Sequence, residues 1–95
     1  MLFNEESYGK PISEKLSQYL IDWTSEADVA KVSVDMPKEN KVSVSTINSV
    51  KRRLGNLTEN NAAAIISLMG IAVKNCTNKI EYAKRVKKEL EKYSA

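Results

Sequence analysis

The chain is predicted to be all-α, a compact domain of four to five helices, on three observations. Apolar residues recur at helical spacing in several stretches, the 95 residues hold only three glycines and two prolines, and serine or threonine stands where helices need caps. One segment competes with this reading. Lys31-Val32-Ser33-Val34 and Lys41-Val42-Ser43-Val44 alternate with period two around Met36–Asn40, so a short β-hairpin near residues 31–45 is the alternative to a helix end followed by a polar turn. With 42% hydrophobic and 28% charged residues, the composition is that of a globular protein with one domain spanning residues 1–95.

Taken in order, residues 1–10 read as a polar N-terminal arm. Pro11 then opens a helix of roughly 11–23, in which Ile12, Leu16, Tyr19, Leu20 and Trp23 share a face. Ser25-Glu26-Ala27-Asp28 resembles a capping box, and Val29, Ala30 and Val32 give the second helix, roughly 26–34, its apolar side. Pro37 closes any helix before it. A third helix is expected over roughly 44–54 and a fourth over roughly 59–75, capped by Thr58, with Ala62, Ile65, Ile66, Met69, Ala72, Val73 and Cys76 as a broad stripe. Gly70 within it marks either the close approach of a neighbour or a tolerated surface glycine. Thr77 or Asn78 would cap a last, basic amphipathic helix over 77–95.

Charge is divided unevenly. Residues 1–40 carry four Lys against eight acids, a net of −4, whereas residues 41–95 carry eleven Lys or Arg against four Glu, a net of +7. Between Glu39 and Glu59 there is no acid, only Lys41, Lys51, Arg52 and Arg53, and such a window favours a polyanionic partner. Cys76 is the sole cysteine and histidine is absent, which argues against a cysteine-based metal site and an activated nucleophile. Glu26, Asp28, Asp35 and Glu39 read as a cap and solubilising charges, and no glycine-rich phosphate loop is present, so no enzyme, cofactor, metal or small-molecule ligand is expected. The beginning of the chain lacks the pattern of a signal peptide, and the longest apolar run, Ala62–Val73, is too short to cross a bilayer. A cytoplasmic protein is expected, in which the sequons at Asn56 and Asn75 stay unmodified.

Residues 42–55 are the most informative stretch. Ile47, Val50 and Leu54 fall at i, i+3 and i+7 on one face, and Gly55 is suited to the left-handed conformation that ends a helix. The opposite face carries Ser45, Asn48, Ser49, Arg52 and Arg53. Short polar side chains can reach base edges while Lys51, Arg52 and Arg53 hold phosphates, and the Asn48 amide can pair bidentately with adenine.

From about Ser25 to Asn75 the chain resembles the lambda-repressor and Cro-type helix-turn-helix family. The likeness rests on Val42-Ser43-Val44-Ser45-Thr46-Ile47-Asn48-Ser49-Val50 and on the downstream Leu57-Thr58-Glu59 before an aliphatic helix. It implies that Ser43, Val44, Ser45, Asn48, Ser49 and Arg52 face the groove, that Thr46 contacts a phosphate, and that Ile47 and Val50 are structural. If Ala30 takes the place of the family's alanine, the turn is about seven residues longer than the family's, and Asn40 would supply a left-handed residue in place of glycine.

The expected function is therefore sequence-specific binding of double-stranded DNA by a small transcriptional regulator acting as a homodimer. The alternative is a helical adaptor whose basic C-terminal helix, through Tyr82, Val86 and Leu90, docks on an acidic protein. RNA binding is disfavoured by the lack of aromatics near the basic window.

Overall fold

Four helices, each begun by a hydroxyl side chain, account for most of the fold. The computed structural model describes residues 3–94. Helix α1 spans Glu14–Trp23, α2 Glu26–Asp35, α3 Val44–Lys51 and α4 Glu59–Ser94. Ser13, Ser25, Ser43 and Thr58 cap them in turn, each oxygen accepting the N–H three residues on, from Leu16, Asp28, Thr46 and Asn61, at 3.1–3.2 Å. Two caps are reciprocal. Asp28 Oδ2 accepts the Ser25 N–H at 2.9 Å and Asn61 Oδ1 the Thr58 N–H at 2.8 Å, so two of the orphan donors at each start are satisfied. Pro11 lies outside α1, because Ser13 sets the start and Ile12 turns into the core.

No strand forms at residues 31–45; the hairpin reading is replaced by the end of α2, a 3-10 turn at Lys38–Asn40 and the start of α3. Helical periodicity prevails because it buries Val29 and Val32 together, while Lys31 and Asp35 pair one turn apart at 3.2 Å. Pro37 follows the extended Met36 and prevents continuation. Lys41 Nζ then donates to the carbonyls of Ser33 and Val34 at 3.1 and 3.0 Å, closing the end of α2. Residues 36–43 connect α2 to α3, and Asn40 is not the left-handed residue expected there; it lies in the 3-10 turn.

Helix α3 ends at Lys51, three residues before the expected Leu54. The Leu54 N–H donates to the Ser49 carbonyl at 2.8 Å and the Arg53 N–H to the Val50 carbonyl at 3.2 Å, the paired bonds of a Schellman ending. Its left-handed residue is Arg53, with φ 63°, and not Gly55. The turn throws Leu54 out to 81% exposure, and Leu57 fills the core in its place.

Helices 59–75 and 77–95 of the sequence reading are one helix of 36 residues. Thr77 and Asn78 cap nothing because no glycine or proline after Gly70 makes the chain leave the helix. At 1.5 Å per residue α4 is about 54 Å long, and it sets the longest dimension of the molecule, 56 Å against 27 and 23 Å. Gly70 is the surface glycine of the two readings, since a Cβ there would meet nothing within 4 Å.

The core gathers Ile12, Leu20, Val29, Val32, Val42, Ile47, Val50 and Leu57 against Ala62, Ala64, Ile65 and Leu68. The N-terminal arm joins it: Phe3 and Tyr8 pack on the core, and Gly9 and Lys10 exchange backbone hydrogen bonds with Leu57 at 2.8 and 2.9 Å. No helix among the described residues is long and apolar enough to cross a membrane.

Candidate nucleic-acid interface

Helix α3 is held from behind by Ile47 and Val50, both essentially without solvent exposure. Its outer side presents Val44, Ser45, Asn48, Ser49 and Arg52 along two turns, with the cap pair Ser43 and Thr46 joined at 3.0 Å on its N-terminal edge. Ser43, Ser45, Thr46 and Arg52 are exposed, and Asn48 and Ser49 are half-buried.

The cations of the acid-free window are placed differently from one another. Lys51 is 3% exposed, with Nζ 3.5 Å from the Thr24 carbonyl, so it lies behind the helix and not on its outer polar side, where phosphate contact was expected. Burial, aided by the neighbouring Arg52 charge, holds its ammonium below the ordinary lysine range, against a smaller upward pull from Glu26 and Asp28. Arg53 turns back towards α1. Its Nε donates to the Ile12 carbonyl at 2.8 Å and its Nη1 pairs with Glu14 at 3.4 Å. Lys41 sits on the end of α2, which leaves Arg52 as the cation that accompanies the polar face.

Glu26, from the first turn of α2, completes the site and was read in the sequence only as a solubilising acid. Its Oε1 accepts from Arg52 Nη2 at 3.3 Å and its Oε2 from Asn48 Nδ2 at 3.2 Å. That contact fixes the Asn48 amide with Nδ2 outward and leaves Oδ1 buried with no donor. Nothing in the local spacing pointed to this cluster, since Glu26 lies 22 and 26 residues from its partners.

No protein-family model, curated protein or solved structure matches this chain.

A small polar surface with one half-exposed guanidinium can offer hydrogen bonds to base edges and one charge to a phosphate, provided that Glu26 yields. Among the described residues no group of three or more Cys, Asp or Glu could hold a metal ion.

Proposed function

We propose that this chain binds double-stranded DNA, with α3 in the major groove, and acts as a small regulator of transcription in which two copies address paired half-sites. The observation that carries the reading is the division of α3: an apolar side sealed by Ile47 and Val50, and an outer side of Val44, Ser45, Asn48 and Ser49 that ends in Arg52. Ser43 and Thr46 would meet the backbone at the N-terminal edge. Asn48 would read adenine after releasing Glu26 and turning Oδ1 outward, which would also give that buried acceptor a partner. Lys51 and Arg53 contribute by holding α3 in place.

The test is fluorescence anisotropy of a labelled duplex titrated with protein across a salt series, with an RNA hairpin as competitor. Salt-dependent duplex binding that the hairpin does not displace supports the reading. Absence of duplex binding at low salt overturns it.

A further inference from the structure

The outer side of α3 is polar with one exception. Ser45, Asn48, Ser49 and Arg52 carry hydrogen-bonding groups, whereas Val44, in the first turn, is 38% exposed and carries none. Single exposed valines are ordinary on protein surfaces. This one differs in its setting, on a side otherwise made of donors and acceptors. Helix α3 already has its apolar side in Ile47 and Val50, and a β-branched residue facing solvent lowers helix propensity. Val44 also stands one turn before Asn48 on the same stripe, so the two side chains lead one another along the axis.

We propose, resting on the placement of α3 in the major groove, that Val44 reads the 5-methyl group of a thymine within two base pairs of the adenine that Asn48 meets.

The chemistry leaves one target. Base edges in the major groove present ring and carbonyl acceptors, amino donors and a single apolar substituent, the thymine methyl. A side chain with neither donor nor acceptor leaves any polar edge that it covers unpaired, and gains only by covering that methyl. The helix sets the distance. Four residues rise about 6 Å, whereas successive base pairs lie about 3.4 Å apart, so Val44 and Asn48 address base pairs no more than two steps from each other. Ser45 accepts from or donates to either kind of edge and discriminates little. A thymine and an adenine close together are thus the part of each half-site that α3 specifies.

The test selects a preferred site from a pool of random duplexes and replaces each thymine in turn by deoxyuridine, which lacks the methyl and keeps every hydrogen-bonding group. In anisotropy titrations of the full chain, one replacement per half-site is expected to weaken binding about fourfold, the worth of one buried methyl group. It should lie within two base pairs of the adenine whose identity ceases to matter in Asn48→Ala. In Val44→Ala, with its fold checked by circular dichroism, the same replacement should change affinity less than about twofold. A site in which no thymine replacement matters overturns the proposal, as does one that matters equally to Val44→Ala or binding of all duplexes alike. Each of these outcomes leaves duplex binding itself in place. Absence of duplex binding at low salt instead overturns the groove placement, and this proposal with it.

Discussion

The Ser17 hydroxyl donates to the main-chain carbonyl of Lys51 at 2.6 Å, across 34 residues and in the interior. It satisfies a carbonyl in the last turn of α3 that has no helical partner of its own. Ser17→Ala would leave that buried acceptor unpaired, at a cost of about 1–3 kcal/mol. Thermal unfolding should show it as a fall in Tm of roughly 4–8 °C per kcal/mol.

Lys51 adds a pH dependence of defined sign. Because its folded pKa lies below the unfolded value of 10.5, the unfolded chain binds the extra proton between the two, and stability from this group rises as pH is raised through that window. Lys51→Met removes the buried charge and should flatten that rise. Denaturant midpoints at a series of alkaline pH values check it; an unchanged slope in the variant would contradict the burial of the ammonium.

Arg53 combines a strained backbone with useful side-chain bonds. Arg53→Ala keeps the left-handed φ and loses the bonds to Ile12 and Glu14, whereas Arg53→Gly loses the same bonds but relieves a strain of about 1–2 kcal/mol. The expected order of stability is Arg, then Gly, then Ala. Urea unfolding of the three proteins measures it.

Gly70 gains from a side chain. It lies within α4 with open space around it, so Gly70→Ala should stabilise by about 0.8–1.0 kcal/mol through helix propensity. A loss of stability in calorimetry would mean that something covers this position.

Glu26 is the carboxylate that a DNA backbone would have to displace. Glu26→Gln keeps an acceptor for Asn48 and Arg52 but removes the charge, and should tighten binding to every duplex. The log–log salt slope should steepen by at most about 0.9, the share of one phosphate. Asn48→Ala should instead alter the preference among sequences, by about 1–3 kcal/mol at one base pair. Both are read by anisotropy against a panel of duplexes.

What the sequence made legible was whatever acts over one helical turn. The Ser25–Asp28 box, the Thr58 cap and the burial of Ile47 and Val50 all follow from spacings of three or four residues. Leu54 was misplaced because an arginine takes the left-handed position that glycine usually fills, which ends α3 early. Thr77 and Asn78 looked like caps, but a capping residue acts only where the chain turns away. The basic window misled for another reason. The partners of Arg52 and Arg53 lie 26 and 41 residues away, so charge density along the chain said nothing of which cations face solvent.

Asn75 marks a mechanical boundary in α4. Its Nδ2 donates to the Trp23 carbonyl at 2.8 Å and to Asp28 at 3.3 Å, tying the helix to the junction of α1 and α2 at the last point where the body covers it. Amide hydrogens before this tie should belong to the cooperative unit and exchange with deuterium only when the whole body opens. Those after it should exchange by fraying from the end, with the tie limiting how far a fray can run. One continuous helix thus contains two kinetic regimes, and protection of the second half reports directly on whether anything lies against it.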